Sequence, residues 1–177
     1  MATTGNNDNL TAAYIKNTAI IRVEGRGSFK ISPSIKQFVH QVINTHSAER
    51  IIIDMSKCTG MDSTFMGITA GVACLIKRTP ETSFKLINLS ENNEKLLKTL
   101  GVDRVVDYSL SASDEEQQII DQGEDEKLDP DSTDKLDTAQ TTLTAHETLV
   151  DINPENLSKF KSVLEFLQED VRNLSQE

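Results

Sequence analysis

The chain has 177 residues, 18 basic and 28 acidic side chains, a formal net charge of -10 and an isoelectric point near 4.8. A net-acidic chain with no basic cluster lacks the electrostatic footprint of a nucleic-acid binder. No apolar run approaches ~18 residues and the start MATTGNNDNL is polar, which argues against a membrane span or an export signal and for a cytoplasmic protein with Cys58 and Cys74 as free thiols.

The charge is unevenly placed. Residues 1–110 carry 13 basic and 10 acidic groups, net +3; residues 111–140 carry 2 and 11, net -9; residues 141–177 carry 3 and 7, net -4. Taking the chain in order, AAYIKNTAIIRVE (residues 12–24) reads as two short strands around a turn at Asn17 and Thr18, and Gly25 and Gly27 end the second. In SPSIKQFVHQVINTH, Ser32 suits an N-cap and Pro33 the first helical position. Ile35, Phe38, Val39, Val42 and Ile43 then follow the spacing of one buried helix face. Ile51, Ile52 and Ile53 before Asp54 form an apolar run without alternation, as in a central strand covered on both sides.

After a loop SKCTGMD, residues 63–78 read as a second helix with Phe65, Ile68, Val72 and Leu75 on one face. Gly67, Ala70, Gly71 and Cys74 are small enough to let it approach the sheet closely. FKLINL (84–89) is another strand; Ser90 caps a third helix containing Leu96, Leu97 and Leu100, and Gly101 closes it in the left-handed conformation. VVDYS (105–109) is a last short strand. The order predicts an α/β domain over residues 1–110, with a mostly parallel sheet of four to five strands and an antiparallel edge hairpin.

Residues 111–140 are acidic and poor in large apolar side chains, and the expectation is a disordered linker. Residues 141–177 read as a helical extension. A short pattern of Leu143, His146, Leu149 and Val150 precedes a longer helix capped by Asn153, with Pro154 at its first position and Ile152 facing Leu157. Leu157, Phe160, Leu164, Leu167, Val171 and Leu174 form a stripe spaced 3, 4, 3, 4, 3, which needs cover. It packs back on its own domain, pairs with a second copy in a homodimer, or captures a partner.

No enzyme motif stands out: there is no GxxxxGK[ST], HExxH, GxSxG, or GxGxxG at a strand end. His40, His46 and His146 are scattered and read as surface or packing residues, so a nucleophile at Cys58 or Ser63 lacks a base. Asp62 beside Cys58 raises rather than lowers a thiol pKa, which makes Cys58 structural. Neither a metal site nor a cofactor is expected. The informative segment is IIIDMSKCTGMDSTFMG (51–67): a buried strand ends at Asp54, and Asp62-Ser63-Thr64 opens a helix whose first amides carry partial positive charge. Either Asp62 or Ser63 simply caps this helix, or Ser63 is a phosphorylation switch.

This strand-loop-helix element, with Asp54, Ser56 and then Met61-Asp62-Ser63-Thr64, resembles the signature of bacterial anti-sigma-factor antagonists, whose fold is the STAS domain. Gly67 falls where that family's helix carries a second glycine. The resemblance implies a STAS-like fold over about residues 10 to 110 and phosphorylation of Ser63 by an anti-sigma factor, a serine kinase with a histidine-kinase-like ATP fold. A serine phosphatase reverses it. It also implies a partner-binding surface around Ser28, Asp62, Ser63, Thr64, Phe65 and Met66. Phe65 stands where many members have Gly, and Gly25-Arg26-Gly27-Ser28 replaces the common Gly-x-Leu-Asp, so Ser28 lacks the usual carboxylate. The expected function is a phosphorylation-switched binding module rather than an enzyme. The alternative is a scaffold subunit of a larger sensory or transport assembly, in which Ser63 only caps.

Overall fold

A two-residue turn starts the sheet. In the computed structural model, which describes residues 8–45, 48–129 and 134–177, β1 (Asn9–Ile15) and β2 (Thr18–Gly27) pair antiparallel around Lys16 and Asn17. Both turn residues have positive φ, 45° and 64°, the backbone of a tight primed hairpin turn. The turn therefore sits one residue earlier than the sequence suggested, because Asn17 supplies one of its two left-handed positions. The other elements are α1 (Ser32–Thr45), β3 (Arg50–Met61), α2 (Ser63–Ile76), β4 (Ser83–Ile87), α3 (Glu91–Thr99), β5 (Asp107–Tyr108), α4 (Asp114–Asp121), β6 (Glu126–Lys127), α5 (Lys135–Ile152) and α6 (Asn156–Leu174).

The six strands lie in the order β5-β4-β3-β2-β1-β6. β2, β3, β4 and β5 run parallel, and β1 and β6 complete one edge antiparallel. The isoleucine run sits in the middle strand, as expected. Ile51 and Ile53 enter the main core with Val23, Ile35, Val39, Phe65 and Leu86, while Ile52 points to the opposite face beside Ile20, Ile87 and Ile120. Each such side chain contributes roughly 1.5–3 kcal/mol by leaving water, and alternation across the strand explains how one apolar run serves two layers. SKCTGM is not a loop. It continues β3 along β2 through register shifts between Arg22 and Glu24 and between Gly25 and Arg26, and such irregularities bend a strand while extending it.

Ser32 opens α1 from inside: its hydroxyl donates to the Ser28 carbonyl at 2.8 Å rather than capping. Ser90 caps α3 by accepting from the Asn93 amide, and Gly101 has φ 74°, both as the sequence indicates. His40 is exposed; His46 lies outside the described residues.

The described residues of the acidic stretch, 111–129 and 134–140, carry a helix, a strand and the start of another helix where a disordered linker over 111–140 was expected. Ser113 and Glu116 form a reciprocal capping box on α4, Ile120 fills the second apolar layer, and β6 pairs Thr11 with Lys127 and Ala12 with Glu126. Basic side chains of the sheet hold its carboxylates: Arg22 to Asp125 at 2.9 Å, Arg50 to Glu115 at 2.8 Å and Lys85 to Glu116 at 2.8 Å. The Arg22 guanidinium also donates to the Ile120 carbonyl. A few well-placed apolar and charged contacts thus replace the large side chains whose scarcity suggested disorder. Residues 135–140 already belong to α5, so the C-terminal hairpin begins earlier than residue 141.

Glu116 is the one carboxylate of this set with a buried side chain. Burial penalises its charge, but the Lys85 ammonium and the Ser113 amide outweigh that and hold its pKa below the ordinary 4.5. A depressed carboxylate contributes stability that is complete above its unfolded pKa and is lost as pH falls through the folded value. Glu116→Gln should therefore flatten the acid side of the stability profile below pH 4.5. Glu116→Ala should cost about 1.5–3 kcal/mol at neutral pH, both read by urea denaturation across pH.

Candidate functional site

Asp62 joins two elements. Its backbone is extended (φ -94°, ψ 172°), its Oδ1 accepts from the Phe65 amide at 2.9 Å, and its own amide donates to the Gly27 carbonyl at 2.9 Å. Oδ2 accepts from the Phe29 amide at 2.7 Å. One carboxylate therefore caps α2 and fixes the exit of β2, which is more than an ordinary N-cap provides. Ser63 follows as the first residue of α2, half-buried.

The hydroxyl of Ser63 lies 2.9 Å from Nε2 of His146 on α5. His146 Nδ1 lies 2.8 Å from the Thr142 carbonyl, an acceptor only, so Nδ1 carries a proton and Nε2, wherever it is unprotonated, accepts from the Ser63 hydroxyl. The imidazole is 4% exposed and meets the Phe160 ring edge-on, centroids 4.9 Å apart and planes at 80°. His146 is thus neither a surface nor a plain packing residue, and it supplies the acceptor that the sequence withheld from Ser63. A nucleophilic reaction also needs room for a substrate at that nitrogen, where Ser63 on one side and Phe160 on the other leave His146 almost fully covered.

The remaining expected surface residues are turned inward. Phe65 is 0% exposed, Thr64, Met66 and Ser28 are buried, and the Ser28 hydroxyl has no hydrogen-bond partner among the described residues. The reason lies in Gly27. A Cβ there would stand 2.9–3.1 Å from three atoms of the Phe65 ring, so the glycine in β2 makes the space that the phenylalanine in α2 fills. The two departures from the resembled pattern compensate each other. Apolar area near Ser63 is offered instead by Phe29, 45% exposed. Phe29 borders an open groove of about 600 Å³ with Thr138, Thr142, Leu167 and Leu174 of the C-terminal hairpin. Neither His146 nor Phe29 was found from the sequence; His146 has no local signal, since its partner lies 83 residues away.

Asp54 and Cys58 are structural. Asp54 is buried, accepts from the Ser56 amide at 3.0 Å and from Asn88 Nδ2 at 2.9 Å, and lies 3.6 Å from Arg22. The Cys58 thiol donates to the Gly60 carbonyl at 3.2 Å, and burial raises its pKa. Among the described residues no group of three or more His, Cys, Asp and Glu could hold a metal ion, and no helix is long and apolar enough to cross a membrane.

The sequence profile of the STAS domain matches residues 9–116. The chain belongs to the STAS domain family. No curated protein sequence matches it. Among solved structures it is similar to an anti-sigma factor antagonist from Mycobacterium paratuberculosis, with a TM-score of 0.53, 16% identity, and coverage of 68% of this chain and 100% of that one. It is also similar to the anti-sigma factor antagonist SpoIIAA in its unphosphorylated form, with a TM-score of 0.51, 18% identity, and coverage of 63% and 96%. At these identities the likeness is one of fold. The STAS match ends inside α4, so α5 and α6 are additions to the matched domain.

Two outcomes check this geometry. Asp62→Ala releases two amides at once and should destabilise the fold by about 1–2 kcal/mol in chemical denaturation. Gly27→Ala should cost about 1–3 kcal/mol through overpacking against Phe65, and Gly27→Ala with Phe65→Leu should lose less than the sum of the two single changes, a coupling a double-mutant cycle reads directly.

Proposed function

We propose that this STAS protein is a binding module of the anti-sigma-factor antagonist type, switched by phosphorylation of Ser63. The observation that carries the reading is the placement of the Ser63 hydroxyl at the first position of α2, directly after the Asp62 cap. A phosphoryl group there meets the positive end of the helix and adds about two negative charges beside Asp62. Unphosphorylated, the chain binds an anti-sigma factor with a histidine-kinase-like ATP fold; phosphorylated by it, the chain lets go, and a serine phosphatase restores it. The surface that such a partner meets is built around Asp62, Ser63 and the exposed Phe29, with Thr64, Phe65, Met66 and Ser28 shaping it from beneath.

The scaffold reading draws on one specific observation: the Ser63 to His146 hydrogen bond gives the serine a purely structural occupation. Incubation with candidate kinases and ATP separates the two. Wild type should take up phosphate and Ser63→Ala should not, while the variant keeps its fold at a cost of about 1 kcal/mol for one lost hydrogen bond. Equal labelling of both proteins moves the site elsewhere. No labelling by any kinase that binds the chain favours the scaffold.

A further inference from the structure

The outer side of α2 carries a stripe of small residues, and α5 lies on it. A Cβ at Gly67 would overlap the Ala145 carbonyl and stand 2.7 Å from its carbon. A Cβ at Gly71 would reach 4.0 Å from the Thr148 hydroxyl. That approach of two backbones brings His146 onto Ser63 and buries Ala145 and Leu149 in the main core. α6 closes the arrangement from behind, with Phe160 against His146, Asn156 Nδ2 donating to the Leu100 and Leu149 carbonyls, and Lys159 Nζ donating to the Thr99 carbonyl. The seam between α2 and α5 is imperfect: a cavity of about 170 Å³ remains between α1, α2 and α5, bordered by Val39, Gly67, Gly71, Thr144 and Thr148.

We propose that the α5–α6 hairpin is a built-in competitor for the Ser63 face of α2, so that a kinase or binding partner reaches Ser63 only when the hairpin leaves. This rests on the reading of Ser63 as the switch. Three observations point the same way. The acceptor hydroxyl is engaged by a residue of the hairpin itself. The imidazole that holds it is almost fully covered, and phosphorylation removes the hydroxyl proton that Ser63 gives to Nε2 and sets a charged group against the hairpin in its place. The hairpin lies beyond the part of the chain matched to the STAS domain. Opening uncovers Ala145, Leu149 and the small-residue stripe of α2, an apolar face that a partner helix then covers. Coupling of this kind is reciprocal: whatever lifts the hairpin exposes Ser63, and whatever modifies Ser63 favours the open form.

Hydrogen–deuterium exchange on the full chain tests this without any kinase. Gly67→Ala wedges α2 from α5, His146→Ala removes the latch with little change in backbone packing, and Ser63→Glu places a carboxylate where the phosphate would stand. The proposal expects each variant to raise exchange across residues 135–174 by about tenfold or more while amides of β2, β3 and β4 keep wild-type protection. Acceleration of the sheet in step with the hairpin would make the hairpin part of one cooperative core and overturn the gate. So would hairpin protection unchanged in Ser63→Glu and His146→Ala. A chain that gates as described yet takes no phosphate at Ser63 refutes the switch reading alone, and a chain labelled at the same rate in wild type and His146→Ala refutes the gate alone.

Discussion

The contact on which the site depends is the one between the backbones of α2 and α5 at Gly67 and Ala145. Only a residue without a side chain permits it, and the position of the α5 and α6 groups around Ser63 follows. The approach sets the height of α5 over the first turn of α2, which places the His146 imidazole within hydrogen-bonding distance of a hydroxyl that otherwise faces outward. α6 then lies where Phe160 can support the imidazole and Asn156 can satisfy the end of α5. A glycine that looked suited to close packing on the sheet serves helix-on-helix packing instead.

The same economy holds on the opposite face of the sheet. Three basic residues on β2, β3 and β4, Arg22, Arg50 and Lys85, each hold a carboxylate of the acidic segment, and Ile120 supplies a buried apolar side chain. Exposed ion pairs contribute little singly, so Ile120 and the enclosed Glu116 anchor the segment and the outer pairs orient it. The charge asymmetry between the first 110 residues and the next 30 is therefore a pairing device within the molecule.

How much of this the sequence reveals depends on the range of the forces involved. The isoleucine run, the caps at Ser90 and Asp62, the left-handed Gly101 and the α/β order are local signals, and they predict the elements that carry them. The order of residues 111–129 rests on contacts to strands far off in the chain, such as Arg50 with Glu115, 65 residues apart, and Arg22 with Asp125, 103 apart, which composition cannot express. α5 is built largely of threonine, alanine and charged residues, so its apolar periodicity is faint although Ala145 and Leu149 are fully covered. The heptad stripe of α6 was legible, and it does pack back on the chain through Phe160 and Leu167, but Leu157 is left 49% exposed and Phe166, off the stripe, 67% exposed.

Regulation of a phosphoacceptor by a segment of the same chain calls for two states of the hairpin, one closed on α2 and one open. A reversible covalent lock between the two helices is the most direct measurement. Cysteines at Gly71 and Thr148, in a background with Cys74→Ser, face each other across the seam, where a Cβ at position 71 reaches 4.0 Å from the Thr148 hydroxyl, and mass spectrometry verifies that the disulfide has formed. Oxidation should hold the hairpin closed and reduce phosphate incorporation at Ser63 to under about a tenth of that in the reduced protein, roughly 1.4 kcal/mol or more of closure, with full recovery on adding a thiol. Equal incorporation in the oxidised and reduced forms would contradict the account, because Ser63 would then be accessible with α5 in place.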